Sequence, residues 1–386
     1  MQNADVVIIG AGISGLSTGY WLAKAGMKVI IVEKGRMANE ASSRATGYLS
    51  LRADQPEENP LAMAAEKMWA TLDEELGYPT EWTPKGRIWA SITEQDWKET
   101  LELGESFRKT NLSFEILDNA QCRQLIPSLS PSVIGGLYTK HSGHANPQRT
   151  SQAFGWAFMD RGGVVLEQTP ALGIVVEGGK VKGVRTQDGI IYADHVVSSA
   201  GPQSALIGKM LGVNVPVAAV RLEAAVTAPL PPLFDIALVG HGMSVRQTKR
   251  GNIHFNGGPY EWVGVDIDKE PAKPNTPLLR NMVKRVSELF PSLNNTAVLR
   301  SWAGVVDVTP DQMTILERLT SPEGLVLVVT SGHGFGMAAA VGRAAADLVL
   351  EGRSSIPIDG LGLDRFKNLP ANWQELRHWL PGNYNT

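Results

Sequence analysis

Gly10, Gly12 and Gly15 stand in the spacing G-x-G-x-x-G. The first glycine permits a tight turn, the second lets the backbone approach a pyrophosphate, and the third allows close packing of a helix on a strand. Ile13 and Ser14 would open that helix, whose N-terminus favours the negative charge of a phosphate. Further on, Glu33 closes a second apolar run, where its carboxylate can accept hydrogen bonds from ribose hydroxyls. An acid there argues against a ribose phosphate and so against NADP. Near the other end of the chain, Thr330-Ser331-Gly332-His333-Gly334-Phe335-Gly336-Met337 forms a second glycine turn ahead of a small-residue segment. Backbone amides at such a helix start can stabilise partial negative charge on a flavin pyrimidine ring. Two turns from opposite ends of the chain suit an extended FAD better than a nicotinamide dinucleotide held by one half-fold. A NAD-dependent dehydrogenase is the alternative enzyme, and a non-catalytic flavin-binding subunit of a larger complex is the alternative of another class.

Those turns need particular elements to carry them. Val6-Val7-Ile8-Ile9 is the β-branched run expected of a strand buried on both faces. Residues 16–25 read as a helix with Gly26 as its C-terminal cap, and residues 29–33 as a second strand, so the chain opens on one βαβ unit. Residues 56–76 have helical composition, 82–92 strand composition, and 95–109 are helical and charged, which fits an inserted domain. Residues 151–201 read as a helix ending near Gly162-Gly163, then short strands at 164–166, 173–177, 183–186 and 196–199. Residues 215–255 are β-rich, 277–290 form an amphipathic helix, and 325–329 are another buried parallel-type strand. The fold class is therefore α/β with α+β character: a Rossmann-like FAD-binding domain and a second, β-rich substrate-binding domain, discontinuous in sequence. The expected ranges are 1–80, 136–214 and 296–386 for the first, and 81–135 and 215–295 for the second.

Composition narrows the function further. Among 386 residues, 36 basic and 39 acidic side chains leave a formal net charge of -3, which gives no general pull toward nucleic acid. The single cysteine, Cys122, excludes an internal disulfide and a cysteine-rich metal site, and reads as a packing or surface thiol. No basic region precedes the first apolar run, and no segment reaches the roughly 18 uncharged apolar residues of a membrane span, so a cytoplasmic protein is expected.

With these motifs in order, the chain resembles the FAD-dependent amine oxidoreductases of the D-amino acid oxidase superfamily, which includes glycine and sarcosine oxidases. The resemblance covers nearly the full length. It rests on Gly10 to Gly15 with Glu33-Lys34-Gly35, Ser42-Ser43-Arg44-Ala45-Thr46-Gly47, the Ala200-Gly201 turn, Trp302-Ala303-Gly304-Val305-Val306-Asp307-Val308-Thr309-Pro310-Asp311, and Gly332 to Gly336. It is most similar to the β subunit of heterotetrameric sarcosine oxidase and to opine and proline-type dehydrogenase subunits, through the G-V-V-D-V-T-P-D stretch and Leu363-Asp364-Arg365-Phe366.

The resemblance implies oxidation of the C–N bond of an amino acid or secondary amine, by hydride transfer to flavin N5 and hydrolysis of the resulting imine. Oxygen or a quinone would reoxidise the flavin, and partner subunits or a homo-oligomer are possible. Ser43, Arg44, Ala45, Thr46 and Gly47 would run beside the flavin, Lys34 would follow the ribose-binding Glu33, Pro170-Ala171 would face the adenine, and Ala200-Gly201 would pack near the nucleotide. Three departures stand out. No cysteine occupies the tethering region Gly304 to Asp307, so non-covalent FAD is expected. Pro147 stands where the β subunit carries its FMN-linked histidine, with His144 close by. Val306 stands where glycine-oxidase-like enzymes place a carboxylate-binding arginine, so another cation must serve any carboxylate.

Three residues are candidates for catalysis. His254 stands where monomeric sarcosine oxidases carry an oxygen-activating lysine, and a neutral histidine there leads to an expectation of weak oxygen reactivity. His333 lies inside the flavin-facing turn. Asp307 could pair with a substrate ammonium or cap backbone amides.

Overall fold

A computed structural model describes residues 2–51, 55–264 and 272–375 of the chain; the end of the expected range 296–386 and part of 215–295 lie outside the described residues. The β-branched runs read from the sequence form the centre of the first sheet. Val6–Ile9 pairs in parallel with Val29–Val32 on one side and with His195–Ser198 on the other. Glu323–Val329 and Val164–Leu166 extend the parallel set at its two ends. Val6–Ile9 and Val29–Val32 are buried along their whole length, as strands covered on both faces are, and their second face packs against Val181, Val184 and Ile191. One face carries the helices Ile13–Lys24, Gly334–Leu350 and Pro147–Asp160, packed through Leu16, Tyr20, Phe154, Phe158, Ala338 and Ala345. A smaller antiparallel part, Gly173–Glu177, Lys180–Thr186 and Gly189–Tyr192, joins the other edge.

The second sheet has eight strands in the order Val298–Val308, Ala218–Pro229, Asn252–Val263, Met243–Gln247, Ala237–Gly240, Arg87–Ser91, Gly135–Thr139, Glu115–Asp118. Its apolar face is covered by the helix Thr276–Leu289, which buries Leu278, Met282, Val286 and Leu289 against Ile88, Leu238, Val245 and Phe255. Asn275 starts that helix by accepting a hydrogen bond from the Leu278 amide at 3.2 Å. Cys122 is fully buried in this core on the helix Asn119–Leu125, and burial pushes its thiol up to about 11, so the packing reading applies.

The sheets do not follow the expected ranges at two places. Val298–Val308 pairs with Ala218–Pro229 from Ala218↔Val308 to Thr227↔Val298, so the start of range 296–386 belongs to the second sheet. Gly135–Thr139 pairs with Arg87–Ser91 and Glu115–Asp118 and belongs there too. Alternation along a strand reports which side is buried, not which sheet supplies the neighbour. Residues 56–76 are a 3-10 turn, Pro56–Glu58, and two helices, Asn59–Trp69 and Leu72–Leu76, not one. In 82–92 only Arg87–Ser91 is strand, because Pro84 has no amide proton and Gly86 takes φ +77°. Among the described residues no helix is long and apolar enough to cross a membrane.

Packing the two sheets together buries polar groups. Arg246, on Met243–Gln247, is 5% exposed, and burial lowers its pKa to about 10, which leaves it charged at neutral pH. His144 and His254 lie close to that charge. Burial, and then Arg246, lower the His144 pKa to about 3 and the His254 pKa well below its ordinary value. The unfolded chain, with histidine near 6.5, therefore takes up protons that the folded chain refuses, and stability must fall as pH drops below about 6.5. Each such histidine contributes on the order of 2 kcal/mol of loss between pH 7 and pH 5. Denaturant midpoints for the wild type and His254→Asn at these two pH values check this: the variant should lose about 2 kcal/mol less than the wild type, and equal losses contradict the account.

Candidate functional site

The chain reverses after Val6–Ile9 through the glycine turn, and the reason glycine is required there is geometric. A Cβ on Gly15 would sit 2.0 Å from the Gly10 carbonyl oxygen, and one on Gly10, at φ +101°, would sit 2.6 Å from the Ser199 carbonyl oxygen. Backbones from Val6–Ile9, His195–Ser198 and the helix Ile13–Lys24 thus meet at a distance no side chain allows. Gly12 is the N-cap of that helix and has no side chain to cap it, and among the first-turn amides that of Ile13 is taken by the Ser42 hydroxyl at 2.9 Å. The helix Gly334–Leu350 starts at His333, also without a side-chain cap. Both helix starts line one cleft of about 560 Å³. Their first-turn amides are the donors a helix leaves over for a ligand.

Carboxylates hold these turns from behind. Glu33 is 8% exposed and accepts the Ala11 amide on one oxygen at 2.8 Å and the Gly35 amide on the other at 2.7 Å. Each oxygen keeps a lone pair for a further donor at the cleft wall. Burial pushes the Glu33 pKa up, against the pull of its two amide hydrogen bonds. Asp307 accepts the Thr330 and Ser331 amides through Oδ2, both at 2.8 Å. Of its two expected roles, the capping one is the one the geometry takes.

Most of the expected cofactor residues line this one cleft. Gly10, Gly12, Ile13 and Ser14 come from the first turn, with Glu33 and Lys34 beside them; Ala171, Ala200 and Gly201 line the same end. Arg44, Ala45, Thr46 and Gly47 form one wall, and Gly332, His333, Gly334, Phe335, Gly336 and Met337 another. Gly15 does not line the cleft and serves the packing described above. Arg44 donates to the Ala303 carbonyl at 2.8 Å, and the Trp302 indole donates to the Arg44 carbonyl at 3.2 Å, so the loop is tied to Val298–Val308.

Ser43 and His254 lie elsewhere, in a second cavity of about 510 Å³ on the far side of loop 43–47, where Ala45 and Trp302 line both spaces. His254 is 3% exposed, neither ring nitrogen has a hydrogen-bond partner, and its ring lies 5.4 Å from that of Trp302. His254 is thus not placed in the main cleft. Asn146 and Pro147 line the second cavity with Arg149, Arg246, Arg250 and Arg300. His144 instead faces the Asp235 carbonyl, 2.9 Å from Nε2.

The sequence has no lysine around Asn252-Ile253-His254-Phe255, and strand pairing brings an arginine there. Arg246 stands opposite His254 in the strand register and donates through Nε to the Thr46 carbonyl of the flavin-side loop. Arg246 has no local motif; only the pairing of Met243–Gln247 with Asn252–Val263 brings it to His254. Ser42, whose hydroxyl accepts the Ile13 amide at 2.9 Å, and Glu58, 2.7 Å from His333, were also missed.

Comparison with known proteins agrees with this geometry. Residues 5–348 match the family model described as DAO, FAD dependent oxidoreductase. The chain belongs to that family. Its cofactor is FAD, and the uncapped helix starts and the spare acceptors of Glu33 fit it. Similar proteins include the sarcosine oxidase subunit beta of Rhodobacter capsulatus, 27% identical, with 95% of this chain and 89% of that one covered. The glycine oxidase of Bacillus licheniformis is 25% identical over 90% of this chain and 94% of its own. Among solved structures, L-proline dehydrogenase from P. horikoshii gives a TM-score of 0.84 at 25% identity, covering 95% and 98% of the two chains. Glycine oxidase from Geobacillus kaustophilus gives 0.87 at 23% identity, covering 94% and 99%, a likeness of fold.

Glu33 lines the cleft with a spare acceptor on each oxygen, where the sequence leads one to expect the adenosine ribose. Losing one partner of a buried charged hydrogen bond costs about 2–3 kcal/mol, so Glu33→Ala should weaken FAD retention roughly 30- to 150-fold. Equilibrium dialysis of the apoprotein against FAD measures this, and unchanged affinity removes Glu33 from the site.

Proposed function

We propose that the protein oxidises the C–N bond of an amino acid or an N-substituted amino acid, with FAD held non-covalently. The observation that carries the reading is a single cleft with cofactor-type turns on one side and the second sheet on the other. Leu222, Glu223, Ala224, Ser244 and Asn256 of that sheet line it, facing the side of loop 43–47 and the turn at 332–336. FAD supplies the hydride acceptor, and water hydrolyses the imine that leaves. The chain's own part is to orient the amine, hold its charged groups and exclude water.

A carboxylate needs a cation, and Val306 presents only an apolar side chain to the cleft. Arg87 serves instead in this reading. It projects from Arg87–Ser91 into the cleft lining, with its guanidinium 5.3 Å from the Tyr48 ring and 4.4 Å from the Trp89 ring. Two aromatic faces hold the planar group in one orientation, which suits bidentate recognition of a carboxylate. Tyr48 is itself fixed, its hydroxyl donating to the carbonyls of Leu238 and Val245. Glu223 is not available to an ammonium in the same way, because Arg221 and the Asn275 amide occupy it. The similarity to proteins named for sarcosine, glycine and proline supports a small carboxylated amine.

Anaerobic absorbance of the FAD-loaded protein against a panel of amino acids, N-methyl amino acids and opines tests this. At least one carboxylated amine should bleach the flavin. Arg87→Met should raise its half-saturating concentration about 10- to 100-fold, the size of a lost charge-assisted hydrogen bond. A flavin that no amine bleaches, or an Arg87→Met variant that matches the wild type, contradicts the reading.

A further inference from the structure

Behind the flavin-facing turn lies a carboxylate that packing alone does not require. Glu58 ends the 3-10 turn Pro56–Glu58, and its side chain is fully buried. One oxygen accepts the Thr314 amide at 2.6 Å, and the other lies 2.7 Å from Nε2 of His333. Burial would push this carboxyl's pKa up, yet the hydrogen bond and charge of His333, together with the Thr314 hydrogen bonds, bring it below the ordinary range. An ionised carboxylate at zero exposure needs a partner, since an isolated buried charge costs several kcal/mol. The pair has a direction. Glu58 is wholly inside, whereas the His333 side chain is 25% exposed and lines the cleft.

Neighbouring groups fix the orientation. The helix Asn59–Trp69, which follows Glu58, is tied to the same turn at its far end, where the Trp69 indole donates to the Gly336 carbonyl at 2.7 Å. Gln55, just before the 3-10 turn, donates to the Asp311 carbonyl at 2.7 Å. Two other carboxylates near the turn are occupied: Asp307 with the Thr330 and Ser331 amides, and Asp311 with Arg365 at 2.7 Å.

We propose that Glu58 is a positioning residue that, through its contact with Nε2, keeps the His333 ring aimed at the cleft, where it adds to the helix-start amides of 334–336 in stabilising negative charge on the reduced flavin ring. The inference rests on FAD occupying this cleft. The pair then sets how easily the bound flavin accepts electrons, a property separate from the recognition of any substrate. Glu58 acts through His333, and its removal leaves the ring without the carboxylate that orients it.

The test is the midpoint potential of the bound flavin in the wild type, Glu58→Gln, His333→Gln and the double variant, with flavin content and melting temperature recorded for each. Both single variants should shift the reduction equilibrium at least tenfold toward the oxidised form, which for a two-electron couple is about 30 mV. The double variant should shift it no further than His333→Gln alone, because the two residues act as one unit. Glu58→Asp should restore most of the shift. A Glu58→Gln protein that melts earlier but keeps the wild-type potential assigns Glu58 to bracing alone and overturns the proposal. If Glu58→Gln does not fold, His333→Gln decides, and a wild-type potential in that variant overturns it equally. A wild-type protein that binds no FAD fails the cofactor reading at the first step, distinguishably from these outcomes.

Discussion

The site depends on buried carboxylates that hold backbone turns open toward a ligand. A helix leaves its first amides without partners, and a side-chain cap normally satisfies some of them. Here two helix starts face one cleft, neither N-cap residue supplies a side-chain cap, and Ser42 takes only the Ile13 amide. Keeping such donors free requires that the turn itself be held by something else. Glu33 does this for the first turn and Asp307 for the second, each by accepting two backbone amides, and Glu58 adds the His333 contact. The acids satisfy the turns' own backbone donors and leave helix-start amides open to the cleft.

That arrangement needs both sheets. The parallel strands bring the Gly10 turn and the Ser199-Ala200-Gly201 turn to the carboxyl ends of neighbouring strands, the usual place for a ligand in an open α/β sheet. Asp307, however, sits on Val298–Val308, a strand of the second sheet, and reaches across to the turn after Glu323–Val329. One carboxylate therefore couples the turn after Glu323–Val329 to the second sheet. Arg44 makes a similar tie, from loop 43–47 to Ala303. The two parts of the cleft are registered against each other by these crossings as well as by apolar packing.

Much of the cofactor side was legible in the chain itself, because it is local. The strand, the glycine spacing and Glu33 lie within thirty or so residues, and the second turn announces itself by three glycines around His333. What escaped reading depends on long-range pairing. Glu58 stands among Pro56, Glu57, Asn59 and Pro60 and looks like a solvated helix start; only its contact with a turn far along the chain shows it to be buried. Arg246 and Arg87 sit on short strands whose neighbours cannot be deduced from alternation, and His254 lines the second cavity, which shares Ala45 and Trp302 with the main cleft. The same limit misassigned Val298–Val308, whose partner is the strand Ala218–Pro229.

The central claim is that the two uncapped helix starts and loop 43–47 together form the FAD site. Amide hydrogen exchange of the apoprotein with and without FAD tests it directly. On this account, FAD slows exchange at residues 12–16, 43–47 and 334–337, and leaves the helix Thr276–Leu289 unchanged. Protection confined to the second cavity around Arg149 and Arg250, with the two helix starts exchanging as before, would contradict it.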